Sequence, residues 1–100
     1  MVDLKRPLFN PGKIVATPGA LQALQQANQS VWVFLARHLA GNWGVVDAHD
    51  KAANEQALKD GGRLLSAYTL NTGTTIWLVT EAEDDNGNRA ATTALLPENY

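Results

Sequence analysis

RLLSAYTLNTGTTIWLVTE fills residues 63–81. On either side of Asn71-Thr72-Gly73 the chain alternates with a period of two and is rich in β-branched and aromatic residues, the pattern of paired strands. Three turn residues ending in glycine suit a short hairpin with Gly73 in the left-handed position. In the second arm Ile76 and Leu78 point one way and Trp77 and Val79 the other. Both faces are apolar, so both need cover, and the strand belongs in the interior of a sheet. A third run, RAATTALL at residues 89–96, follows Asn86-Gly87, the dipeptide of two-residue hairpin turns. Three successive strands therefore form an antiparallel meander.

Upstream the period changes to that of helices. Thr17 followed by Pro18 reads as an N-cap and first helical residue, opening a short helix with Leu21, Leu24 and Ala27 or Asn28 on one face. Ser30 caps a second, in which Val31, Phe34, Leu35 and His38 recur at helical spacing, Leu39 widens the stripe, and Gly41 stops it. Asp47, with Asp50 three residues on, opens a third helix that Gly61-Gly62 ends. KIVA, residues 13–16, is a short strand. The fold expected is α+β: about three short helices, then an antiparallel meander of three to four strands, with the helices on one sheet face. Pro7 and Pro11 frame an irregular arm over residues 1–12, and residues 13–100 form one domain. The Trp77 and Val79 face lacks obvious cover; the arm, the third helix or a second copy of the chain is left to supply it.

A chain of 100 residues has room for one core. With 45% apolar and 18% charged residues it has a globular composition, not a disordered one. It contains no cysteine, which excludes disulfides and thiolate metal sites and fits a reducing cytoplasm. No apolar run is long enough for a signal peptide or a bilayer span, so no membrane partner is expected. The formal charge of −2 gives no electrostatic reason to bind nucleic acid. Lys5, Arg6 and Lys13 make the start basic, in the manner of a solvated arm.

Candidate sites are few. GNWGVVDAHD, residues 41–50, sets Trp43 between turn residues, either as a plug over the gap between helices or as a binding loop. Asp47, His49 and Asp50 carry metal-ligand chemistry, but neighbours on one helical turn diverge, and only His38 could add a second nitrogen. No metal and no cofactor are expected. Ser66 shares a face with Leu64 and Tyr68 and reads as a packed hydroxyl, because an activated serine needs a base in reach. The strands also bring together Arg63, Thr75, Glu81, Arg89, Thr92 and Thr93. Glu81 as base, with Arg63 or Arg89 as the phosphate-binding cation, is the catalytic reading of that set. Ordinary cross-strand pairing is the other reading. Glu83, Asp84 and Asp85 form an acidic turn that repels RNA.

VATPGAL at residues 15–21, ARHLAG at 36–41, GNWG, GGRLLSAY, TTIWLVTEAE and TTALLPENY together resemble a family of small uncharacterised bacterial proteins labelled plasmid-related and carried on mobile elements. The family has aspartate where Asn42 stands here, and a shorter last hairpin. The resemblance implies a mobile-element setting and no particular activity. Helices followed by a meander is also similar in order to the barnase and RelE-like ribonuclease toxins. Two functions follow from these readings. The first is a non-catalytic interaction or accessory module using Trp43, Trp77 and Val79, with a protein partner or a second copy. The alternative is a small ribonuclease-like toxin using Glu81, Arg63 and Arg89. The acidic charge and the uncovered apolar face favour the first.

Overall fold

The computed structural model describes residues 7–100. The order is β1 (Lys13–Ala16), α1 (Pro18–Ala27), α2 (Val31–Leu39), α3 (Ala48–Asp60), β2 (Leu64–Thr69), β3 (Thr75–Thr80) and β4 (Ala91–Leu95), closed by a 3-10 turn over Pro97–Asn99. This is the expected α+β fold with helices first. The sheet runs β1-β4-β3-β2. β2, β3 and β4 form the antiparallel meander, whereas β1 joins β4 in parallel. The sheet is thus mixed. The three helices carry the chain from β1 to the far edge, and the meander then works back until β4 lies beside β1.

The helix ends are set by local chemistry. The Thr17 and Ser30 hydroxyls accept the N–H groups of Ala20 and Trp32, each at 3.2 Å, and the Asp47 carboxylate accepts that of Asp50 at 2.8 Å. Asn28 (φ 54°) ends α1 and Gly61 (φ 84°) ends α3, both in the left-handed region. The buried face of α1 is rotated from the expected stripe: Ala20, Ala23, Leu24 and Ala27 turn inward while Leu21 is exposed. Small alanines let the helix lie close to the sheet.

The second hairpin is also corrected. Gly87 has φ 78° but Asn86 does not share the left-handed region, so the two-residue turn does not form. The Asp84 carboxylate instead accepts the N–H groups of Asn86 (2.8 Å) and Asn88 (2.9 Å). A three-residue loop closes by Asp84 N–H to Asn88 O at 2.8 Å and Gly87 N–H to Asp84 O at 3.0 Å.

The helices cover the face of Leu64, Ser66, Tyr68, Ile76, Leu78 and Ala94, all 7% exposed or less. The other face is less open than its sequence suggests. Val79, Leu95 and Ala67 are 4%, 6% and 7% exposed although no helix lies over them. The end of the chain contributes the cover: the Tyr100 ring stands edge-on to Trp77 with centroids 5.6 Å apart, and the Arg63 guanidinium lies 5.3 Å from the Tyr100 centroid.

Residues 7–12 hold no helix or strand yet are docked into the body, unlike a free arm. Leu8 N–H donates to Leu39 O at 2.9 Å, and Phe9 packs on His38 and Trp43. Lys5 and Arg6 lie outside the described residues. The outer edge of β2 is sealed. The Asn54 carboxamide donates to Leu65 O (2.7 Å) and accepts Leu65 N–H (2.9 Å), as a neighbouring strand would. Two residues on, Ala67 N–H donates to Trp43 O (3.0 Å) and Val45 N–H to Ala67 O (2.7 Å). Gly44 (φ 76°) permits this approach; a Cβ there would collide with the Ala67 carbonyl oxygen.

Candidate functional site

Beneath α2 the inward-facing polar residues of three strands converge on His38. Its Nδ1 is hydrogen-bonded to Ser66 Oγ, and its Nε2 lies 2.8 Å from Thr80 Oγ1. Thr80 Oγ1 is 2.6 Å from Thr92 Oγ1, and Thr92 Oγ1 is 2.8 Å from the Pro11 carbonyl oxygen. That last group can only accept, which fixes every proton in the array. Thr92 donates to Pro11; Thr80, finding that hydrogen used, donates to Thr92; Nε2–H of His38 donates to Thr80. The neutral imidazole is left with a bare Nδ1, which accepts the Ser66 hydroxyl. Burial holds His38 neutral, lowering its pKa from 6.5 to about 4. Beside it, burial raises the Tyr68 pKa to about 12, and the Tyr68 hydroxyl donates to Asn42 O at 2.6 Å.

Sequence reasoning missed this array. It puts a base within reach of Ser66, the one condition that the serine had lacked. The signal was there: Ser66, Thr80 and Thr92 occupy inward strand positions, and His38 an inward helix position, so each had to find a buried partner. The pairing still does not make a hydrolase. Neither Ser66 nor His38 has exposed surface, and the imidazole nitrogen that would face an orienting carboxylate faces a hydroxyl instead.

The proposed catalytic set is assembled only in part: the β2–β3 register, continued by one residue, sets Glu81 opposite Arg63 with no ion pair between them, and Arg89 is directed elsewhere. Glu81 and Arg63 are exposed, whereas Arg89 is buried. Arg89 Nη1 donates to the carbonyls of Gly62 (2.6 Å) and Glu81 (2.9 Å), and Nη2 to that of Ala57 (3.4 Å). Its carboxylate neighbour is Glu83 at 3.8 Å, not Glu81. Arg89 therefore ties the end of α3 to the β2 and β3 termini, and with its side chain 3% exposed it presents little surface to a phosphate. Thr92 belongs to the buried array, while Thr75 and Thr93 are half-buried on the second face.

Trp43 is 3% exposed, packed with Ala57 and Leu64, stacked on Phe9 at 6.4 Å and edge-on to His38 at 5.7 Å. Its indole N–H donates to Glu55 at 2.9 Å. This is the geometry of a plug; no part of the ring is presented to a ligand. Asp47, His49 and Asp50 do approach one another, their donor atoms all lying within 4.8 Å, closer than the sequence reading allowed. The Asp47 carboxylate is already engaged as the cap of α3, and the positive end of the helix opposes a cation there. His38 is committed to the core and cannot join them.

One concavity among the described residues lies on the second sheet face. Arg63, Leu65, Trp77, Val79 and Tyr100 enclose a slot of about 130 Å³. Val79 and Leu65 are cross-strand partners, and the two aromatic rings stand at 69° to each other. Trp77 and Leu65 are half-buried, Arg63 is exposed, and Val79 lies at the bottom. Among the described residues the ion pairs are His49–Asp50 and Arg89–Glu83, and none of these residues gives the Arg63 guanidinium a carboxylate partner. Two of the three residues expected to bind, Trp77 and Val79, thus share one depression, and Trp43 lies elsewhere. Arg63 was singled out for phosphate chemistry but shares the slot with them. Comparison of the chain with protein-family models, with curated proteins and with solved structures finds no match.

Proposed function

We propose that the protein is a non-catalytic interaction module that receives a protein partner on the sheet face opposite its helices. The observation that carries this reading is the slot at Arg63, Leu65, Trp77, Val79 and Tyr100. It combines half-buried apolar surface, two aromatic rings and a cation with no ion-pair partner among the described residues, the residue types that concentrate binding energy at interfaces. The accessory role on a bacterial mobile element comes from the resemblance of GNWG, GGRLLSAY and TTIWLVTEAE alone. The ribonuclease-like alternative loses support because Arg89 is consumed by backbone carbonyls and Glu81 has no histidine or free Arg89 beside it. No helix among the described residues is long and apolar enough to cross a membrane, which favours a partner in solution.

The test is a photo-crosslinking amino acid at position 65, beside the slot, and at position 51, on the exposed side of α3, in growing cells. Discrete protein adducts from position 65 and none from position 51, with cellular RNA intact, are expected. Adduct mass separates a second copy from a different protein. No adduct at position 65 refutes the reading, and RNA breakdown on expression revives the toxin.

A further inference from the structure

Resting on that interaction reading, we infer that the slot takes an extended acidic–apolar peptide segment, with one apolar side chain against Trp77 and a neighbouring carboxylate on Arg63. Size is the first argument. A closed apolar cavity of roughly 150 Å³ accepts benzene, so a slot of about 130 Å³ holds one branched aliphatic side chain or most of a phenyl ring. The lining is Leu65, Val79 and two aromatic rings, which offers dispersion and area burial but few polar contacts.

Charge is the second argument. Among the described residues lining the slot, Arg63 is the one with a charged side chain, and its guanidinium lies over the Tyr100 ring at 5.3 Å. A stacked guanidinium keeps its N–H edge free for planar, bidentate bonding to a carboxylate. Continuing the β2–β3 register by one residue sets Glu81 opposite Arg63, yet the two do not pair, since neither appears among the ion pairs of the described residues. Glu81 is therefore a competitor at the rim. It weakens attraction for a highly charged polyanion, and the net charge of −2 does the same. A single carboxylate attached to an apolar group meets the attraction of Arg63 without requiring a wider basic surface.

The experiment uses the full chain, isotope-labelled, titrated at neutral pH with 3-phenylpropionate and separately with 3-phenylpropanol. The two probes share the ring and differ in the charge. The Trp77 indole N–H and the Leu65 and Val79 methyl resonances should move in a saturable way. The carboxylate should bind at least tenfold more tightly than the alcohol. Arg63→Gln, at an exposed position, should abolish that preference while the fold and the alcohol affinity persist. Glu81→Gln should strengthen carboxylate binding several-fold. Equal affinities for the two probes, or shifts centred away from the slot, overturn the inference. So do shifts at these residues that appear only on raising the protein concentration or on adding single-stranded oligonucleotide. Adducts at position 65 with no carboxylate preference sink the peptide chemistry and leave the interaction module standing; no adducts sink both.

Discussion

His38 makes stability depend on pH in a way that can be worked out from its surroundings. Folded, it is neutral because burial lowers its pKa to about 4; in the unfolded chain the value returns to 6.5. Above pH 6.5 both states are neutral at this residue and its contribution is fully present. Between pH 6.5 and 4 the unfolded chain takes up a proton that the folded chain refuses, so stability falls as the pH falls. Below about pH 4 both states are protonated and the loss levels off. A separation of about 2.5 pH units, at roughly 1.4 kcal/mol each, amounts to about 3 kcal/mol. That is a large share of the roughly 5–15 kcal/mol by which domains are stable. Urea unfolding of the wild type and of His38→Gln from pH 7.5 to 4 isolates the term, because glutamine can still donate and accept but does not titrate. Carboxylates act alike in both proteins, so the wild type should lose about 3 kcal/mol more than the variant. Parallel stability curves, or a histidine resonance at position 38 titrating near 6.5, would refute the reasoning.

Trp43→Ala should cost about 3–5 kcal/mol in denaturant melts, as for other buried aromatic truncations, and Trp43→Phe distinctly less, since it removes the indole bond to Glu55 but keeps most of the packing. An unchanged melt for Trp43→Ala would move the residue from plug to binding surface. Arg89→Met should destabilise by about 3 kcal/mol, because the part-buried carbonyls of Gly62 and Glu81 and the buried one of Ala57 lose a charged donor, whereas Glu81→Gln should leave stability within about 0.5 kcal/mol as an exposed change. Thermal melts of the two variants check the contrast, and a stable Arg89→Met protein would reopen its assignment to phosphate chemistry.

What was legible in the sequence was local. Thr17-Pro18, Ser30, Asp47 and Gly61 each act within one helical turn, and Gly73 within one hairpin, so residue type alone marks their roles. Even there a neighbour could intervene: Asp84, whose carboxylate engages two backbone N–H groups, converts the Asn86-Gly87 signal into a longer loop. Long-range pairings were less accessible. His38 is 28 residues from Ser66 and 42 from Thr80, and helical periodicity shows only that it faces inward. Tyr100, which stands edge-on to Trp77 and lines the same slot as Val79, belongs to a stretch with no strand or helix pattern. Asn54, on a helix face read as alanine with Leu58, seals Leu65 by imitating a strand's hydrogen bonds, which composition does not disclose.

The same distribution of groups decides between chemistry and recognition. Acid–base catalysis needs a group that is both activated and reachable by substrate. This fold separates the two properties. The activated-looking pair, Ser66 and His38, is fully buried and saturated by a hydrogen-bond chain whose direction is fixed at Pro11. Opening it to a substrate would break the His38 bonds to Ser66 and Thr80 in the core, a cost of about 1–3 kcal/mol for each buried group left unpaired. The reachable ionised residues, Glu81 and Arg63, lack the buried, oriented setting that tunes a catalyst. The slot joins accessibility to organisation, and its organisation is of rings and methyl groups around one guanidinium. That arrangement stabilises a bound side chain and a bound carboxylate, and the side chains lining it offer no histidine or carboxylate to act as a general base. On the reading proposed above, the reachable surface among the described residues holds a partner rather than transforming one.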